Sequence, residues 1–431
     1  MSSPFRRTVR GMRDFLPEEA ENLRSIEQSA REVAKLYGYE EVITPLVENF
    51  ELLAAKIGEE NRKRMYVFED LGGRKVALRP EFTASVARLV ATKMQSFPKP
   101  LRLFSAGSLY RYDEPQFGRY REFWQANFEL FGSTEPEADA EILVLTDDSM
   151  RKIGLRNYQF RVGHVGILRS ILSQGKIGDE QQNWIMQLID KKQWDEALGI
   201  AKEAGASQEC LDNLEKLLKT RGTDSEAVAR DIGELVKDYP EALKALQNIN
   251  EIIGLLGKSG AEINLVLDAG FARGLEYYTG IVFETYVPEM KVALAGGGRY
   301  DRLIELFGGG KIPGVGVAQG LDRMALALER QGAVLRADEA RRVSVIPVGN
   351  EMVSAAFHVS ILLRKGGFCA QLEATRRTVA RALSDTGKKG IAYAVIVGPT
   401  EMREGKVVLR DMMKRSQETV TLDGLIEKLE G

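Results

Sequence analysis

An α+β domain built on an antiparallel sheet, interrupted by helices and followed by a smaller α/β domain, is what this sequence predicts. Three observations carry that expectation. Residues 101–131 read as two strands around a charged loop, residues 168–258 are helix-rich with few strand formers, and strand and helix patterns alternate from Val343 onward. At 431 residues the chain is too long for one core. It divides into residues 1–330, with the helical insertion at about 168–258, a linker at 331–342 and a final unit at 343–431.

Composition bounds the function. The chain is 44% hydrophobic and 28% charged, with net charge −2. No apolar run approaches the ~20 residues that span a bilayer, and no apolar stretch follows the N-terminal arginines as a secretory signal would require. Cys210 and Cys369 fit reduced thiols in a cytoplasm, so neither a disulfide nor a zinc site is expected. From Arg341 onward fifteen Lys/Arg face ten Asp/Glu, which makes the tail about +5 and the remainder about −7. No repeats or low-complexity segments occur.

Pro17, followed by Glu18 and Glu19, opens a first helix. Leu23, Ile26, Ala30, Val33, Ala34 and Tyr37 recur at helical spacing until Gly38 stops it. Tyr39–Pro45 reads as a short strand ending in proline. Met65–Asp70 and Lys75–Arg79 read as a hairpin around Leu71-Gly72-Gly73-Arg74. An apolar helix follows Arg79-Pro80-Glu81-Phe82-Thr83 and runs to about Met94.

The segment Leu101–Arg111 is strand-like and ends in an arginine, and the loop after it holds Arg119 and Arg121. In the strand Phe123–Phe131, Trp124, Ala126, Phe128 and Leu130 share one face, and Gln125, Asn127 and Glu129 share the other. A polar row in such a strand is costly to bury unless something hydrogen-bonds to it. Arginines at one end and amide and carboxylate groups along the floor suggest a nucleotide and an amino acid held side by side.

This strand–loop–strand resembles motif 2 of the class II aminoacyl-tRNA synthetases, and its wording is similar to that of the histidyl-tRNA synthetase family. Two further segments agree. Arg273-Gly274-Leu275-Glu276-Tyr277-Tyr278 resembles a signature particular to that family and its close paralogues. Gly296-Gly297-Gly298-Arg299-Tyr300-Asp301, then the small-residue strand Gly314–Gly320 and a helix from Leu321 carrying Arg323, resembles motif 3. The glycine spacing fits neither a Rossmann fingerprint nor a P-loop. The helix–strand–proline of residues 17–45 looks like motif 1, which builds the dimer interface in that family, so a homodimer is implied.

The resemblance implies a class II catalytic domain with a C-terminal anticodon-binding domain. It further implies ATP-dependent activation of histidine to histidyl-adenylate and transfer to the 3′ end of tRNA(His), with Mg²⁺ accompanying ATP on phosphates and water and no other metal. Arg111 would clamp the α-phosphate and the substrate carboxylate, Arg273 would oppose it, and Arg323 would hold the distal phosphate or stack near adenine. Arg119 and Arg121 would contact the pyrophosphate portion or the tRNA end. Glu81, Thr83 and Gln125 would bind the α-amino group, while Glu129 and Tyr278 would bracket the imidazole, with Tyr277 and Tyr300 as walls. Two positions depart from the family pattern. In Arg111-Tyr112-Asp113-Glu114 the acid available for the adenine amino group is Asp113, and Phe82 stands where glycine is commoner.

The cluster Arg376, Arg377, Arg381, Lys388 and Lys389 is the expected tRNA-binding surface. His164 and His358 lie outside every motif and read as structural or surface residues. The alternatives are the regulatory subunit of ATP phosphoribosyltransferase, a non-catalytic paralogue, and a class II synthetase for another amino acid.

Overall fold

The computed structural model describes residues 6–333 and 342–430, apart from residues 56 and 291. Most of the expected linker lies outside the described residues. Two compact units result, Met1–Leu335 and Arg336–Gly431.

The first unit is organised by a nine-stranded sheet. Its order across the sheet is Glu40–Glu41, Leu101–Tyr110, Glu122–Phe131, Gly314–Gly320, Ala295–Arg299, Ile281–Tyr286, Gln159–His164, Leu265–Asp268 and Arg221–Gly222. The sheet is mixed rather than purely antiparallel. Glu40–Glu41 runs parallel to Leu101–Tyr110, and Gln159–His164 runs parallel to Leu265–Asp268. Parallel neighbours need a long crossover, and the helix-rich stretch supplies it.

That stretch shares its core with the sheet. Ile171, Leu214, Ile232 and Ile249 pack in one apolar cluster with Phe82, Leu103 and Phe131. In the last helix, Pro240–Ser259, Ile252 and Leu256 belong instead to the core on the opposite face, with the helices Pro17–Leu36 and Pro136–Lys152. Ala126, Phe128 and Leu130 face that second core, so the alternation in Glu122–Phe131 assigns the faces as the sequence does.

The first helix runs Pro17–Leu36, with the Glu19 carboxylate accepting the Leu16 N–H at 2.8 Å. The expected strand Tyr39–Pro45 shrinks to Glu40–Glu41, because Ile43 stands free of the sheet, 89% exposed, and the chain bends at Leu46 just after Pro45. The hairpin Val67–Glu69 and Lys75–Leu78 forms and gains a third strand, Val47–Asn49, three residues that sequence alternation does not register.

The second unit has its own five-stranded sheet, ordered Cys369–Leu372, Arg342–Pro347, Tyr393–Val397, Lys406–Asp411 and Ser416–Thr421. The first three strands are parallel and the last two antiparallel. Ser416–Thr421 is the strand missing from the sequence reading. It is an almost entirely exposed edge strand, so it needs no apolar face. Helices Val353–Lys365 and Val379–Lys388 connect the parallel strands.

Candidate active site

The floor of the site is one face of the central strands. Register places Asn127 beside Ala318, Ala318 beside Gly296, and Gly296 beside Glu284. One row further, Glu129 neighbours Gly316, and Gly316 neighbours Gly298. The absent side chains are what let long side chains lie flat here. A Cβ on Gly296 would overlap the Arg273 guanidinium, one on Gly316 the Glu129 carboxylate, and one on Gly298 the Ile281 carbonyl and then the Tyr278 ring.

Around this floor opens a cleft. It brings together Glu81, Thr83, Arg111, Asp113, Arg119, Gln125, Arg273, Tyr277, Tyr278 and Arg323 from segments spread over the whole first unit. Three of the four guanidiniums are oriented by backbone carbonyls. Arg111 Nε donates to Pro80 O at 2.9 Å, and Arg273 Nη1 to Phe283 O at 3.3 Å and to Glu284 Oε1 at 3.0 Å. Arg323 Nε donates to Gly118 O at 2.9 Å and its Nη1 to Ala293 O at 2.7 Å. The cations crowd one another. Burial, then the charges of Arg111 and Arg119, pull Arg323 down to about 10, and Arg111 is lowered by burial with Arg273 adding to it. Arg273 is raised, because Tyr278, Glu284 and Asp190 outweigh its burial. A cluster of cations that depress one another is stabilised by a polyanion entering between them.

One end of the cleft is built around the start of the helix Thr83–Lys93. Glu81 Oε1 accepts the Ala84 N–H at 2.9 Å, and its other oxygen meets the Tyr277 hydroxyl at 3.4 Å. Gln125 Oε1 and both amide atoms of Asn127 are buried without a hydrogen-bond partner among the described residues, which marks this row as awaiting polar contacts.

Two expected contacts are placed elsewhere. Arg121 does not line the cleft. Its guanidinium lies 3.7 Å from the Tyr112 ring centroid, its Nε donates to Asp113 O at 3.1 Å, and its backbone N–H reaches Gly11 O at 2.8 Å, so it braces the loop from behind. Glu129 lies beneath Gly316, where Thr83 Oγ1 donates to it at 2.7 Å and the Tyr300 hydroxyl takes its second oxygen. It borders the cleft through those two hydroxyls.

Burial pushes the Glu129 carboxyl up to about 8, against the hydrogen bonds from Thr83 and Tyr300 that lower it. A folded-state value above the ordinary 4.5 means stability that is full below about 4.5 and lost as pH rises through about 8. The melting temperature of the ligand-free protein should therefore fall between pH 5 and 9. Glu129→Gln should flatten that slope, and thermal unfolding across the range checks it. An equally steep slope in the variant would assign the effect to other groups.

The sequence reading passed over Glu284 and Asp322. Glu284 pairs with Arg273, and its signal was present as an acid in the apolar strand Ile281–Tyr286. Asp322 accepts the Trp124 N–H and pairs with Arg13, whose guanidinium stacks on Tyr120 at 3.6 Å. His164 Nδ1 caps the helix Val165–Gln174 by accepting the Gly166 N–H at 3.0 Å, and burial lowers it to about 4, so it is neutral at pH 7. His358 is exposed. Among the described residues no three His, Cys, Asp or Glu side chains cluster as a metal cage.

In the second unit Arg376, Arg381, Lys388 and Lys389 are exposed. Arg377 is not free for a partner, since it binds Glu373 at 2.7 Å and pairs with Asp385.

A glycine-floored sheet, arginines from three distant segments around one cleft, and a second unit with its own sheet define a class II aminoacyl-tRNA synthetase. Residues 11–324 match the family model described as histidyl-tRNA synthetase, and residues 342–431 match an anticodon binding domain. The chain belongs to the histidyl-tRNA synthetase family. It is 40% identical over 418 residues to a histidine–tRNA ligase of Methanocaldococcus jannaschii, covering 96% of this chain and 97% of that protein. To that of Saccharolobus solfataricus it is 38% identical over 425 residues, 98% of each. The crystal structure of apo histidyl-tRNA synthetase from S. aureus is similar, with TM-score 0.69 and 26% identity over 98% of this chain and 99% of that one.

Proposed function

We propose that this chain activates histidine with ATP to histidyl-adenylate and pyrophosphate and then transfers the histidyl group to the 3′ end of tRNA(His). The observation that carries the reading is the convergence of Arg111, Arg273 and Arg323 on one cleft. In the first step the histidine carboxylate attacks the α-phosphate. Charge then spreads over non-bridging oxygens, and planar guanidiniums meet it with paired donors. Arg111 and Arg273 hold the α-phosphate and carboxylate from two sides, Arg323 and Arg119 take the distal phosphates, and Asp113 faces the adenine. Glu81, Thr83 and Gln125 receive the α-amino group, and Tyr278, with Glu129 behind Thr83 and Tyr300, faces the imidazole. Neither step needs a covalent enzyme intermediate, so catalysis is positioning and charge stabilisation.

Mg²⁺ enters with ATP, on phosphate oxygens and water, and neutralises part of the triphosphate charge. Of the acids lining the cleft, Glu284 and Asp322 are already paired with arginines, which fits a metal carried by the nucleotide. Exposed Arg376, Arg381, Lys388 and Lys389 form the phosphate-contacting surface for tRNA. A homodimer is supported by the exposed apolar side chains Ile43, Leu46, Val47, Val67 and Phe68, and the cytoplasm is the expected compartment.

ATP–pyrophosphate exchange with each of the twenty amino acids tests the reading. Histidine alone should support exchange. Exchange with a different amino acid, or with none, would overturn it.

A further inference from the structure

The Arg273 turn is held from outside the sheet as well as from its floor. The helix Asp179–Asp190 lies in the crossover, more than eighty residues before Arg273 in sequence, yet its last turn ends on the turn that carries this arginine. Asp190 Oδ2 accepts the Gly274 N–H at 2.8 Å. One turn earlier, Gln187 Nε2 donates to Glu276 Oε1 at 3.3 Å. The next residue, Lys191, pairs with Glu60 on the short helix Glu59–Lys63. Gly58, at φ +82°, sits where the three segments meet. A Cβ there would stand 3.4 Å from both Gln187 Nε2 and Gly274 O.

Asp190 also lines a recess shared with Arg111, Arg119, Arg273 and Glu284. Its charge acts on Arg273 together with that of Glu284. The two carboxylates have different tasks. Glu284 binds the guanidinium itself, whereas Asp190 fixes the backbone from which that side chain springs. Gly274 suits this contact, since a Cβ on it would press against Asp190 Oδ2 at 2.9 Å.

We infer that Asp190 is a positioning residue for Arg273, through which the helical crossover sets the placement of a guanidinium in the active site. The inference rests on the proposed histidine activation, because the reaction is where misplacement would register. A displacement of order 1 Å in a group that binds the reacting phosphate costs up to about 10²-fold in rate.

The test measures histidine-dependent ATP–pyrophosphate exchange in the full chain. Asp190→Ala should lower kcat about tenfold with KM for ATP unchanged. Asp190→Asn, which keeps an acceptor for the Gly274 N–H, should lower it about threefold. In an Arg273→Lys background, which keeps the charge and a residual rate, neither substitution should cost anything further. The inference is overturned if both cost as much in that background as in the parent, or if neither changes exchange in the parent. Should Asp190→Ala fail to fold, the Asp190→Asn comparison between the two backgrounds decides alone. An absence of histidine-dependent exchange in the parent chain would instead sink the functional reading.

Discussion

Replacing Arg273 by alanine should slow histidine-dependent ATP–pyrophosphate exchange by about 10³-fold or more, while the protein melts within a few degrees of the parent. The size of the loss follows from what the side chain does. Its Nη1 is spent on Glu284 and Phe283 O, which fixes the plane of the guanidinium over Gly296 and points its remaining edge into the cleft. Its Nε is buried without a hydrogen-bond partner among the described residues, a donor held ready for an acceptor. Removing one preorganised donor to a developing oxyanion costs about 10²–10³ in rate, and this side chain offers more than one. The small effect on stability follows from electrostatics. Arg273 repels Arg111 and Arg323 only weakly, and the Glu284 carboxylate that its loss leaves unpaired is 27% exposed, so water can solvate it. Exchange kinetics and thermal melting on the same preparation check both halves. Exchange within tenfold of the parent would show that Arg273 does not touch the reacting groups.

What the sequence disclosed about this site depended on how local the signal was. Arg111, Arg273 and Arg323 were legible because each stands just beyond a strand or inside the loop that follows one, within a run of distinctive neighbours. The faces of Glu122–Phe131 were legible because alternation is a property of the strand itself. Glu129 shows the limit. Its position on the polar face was readable, but Thr83 and Tyr300, which occupy its oxygens, lie 46 and 171 residues away. Arg121 and Arg119 look equivalent in sequence, but Tyr112, Asp113 O and Gly11 hold Arg121 against the loop while Arg119 lines the cleft. Arg377 likewise looks equivalent to Arg376 in sequence, and only the structure shows it paired with Glu373 and Asp385. The parallel pairing of Gln159–His164 with Leu265–Asp268 joins strands about a hundred residues apart, a distance over which no local pattern reports direction.

The glycine tract gives the second large effect, and its two faces give opposite outcomes. Gly296→Ala should reduce exchange about 10²-fold or more in a protein that folds normally. Gly297→Ala should fail to accumulate as folded protein. Both residues lie on Ala295–Arg299, the strand between Ile281–Tyr286 and Gly314–Gly320, and successive side chains there point to opposite faces. Gly296 has no left-handed backbone to lose, and the atoms nearest a methyl group there all belong to the Arg273 guanidinium, the far end of a flexible side chain. The arginine lifts off the floor, its contact with Glu284 breaks, and the strand survives. On the other face a methyl group at Gly297 would overlap the Gly316 carbonyl and press on the Phe283 ring at 2.9 Å. Neither backbone nor a ring packed at 1% exposure in the second core can yield without separating the strands. Circular dichroism melts and exchange rates for the pair decide the matter. Parent-like activity in Gly296→Ala would mean the guanidinium does not rest on that floor, and a normally stable Gly297→Ala would place the strand in a different register.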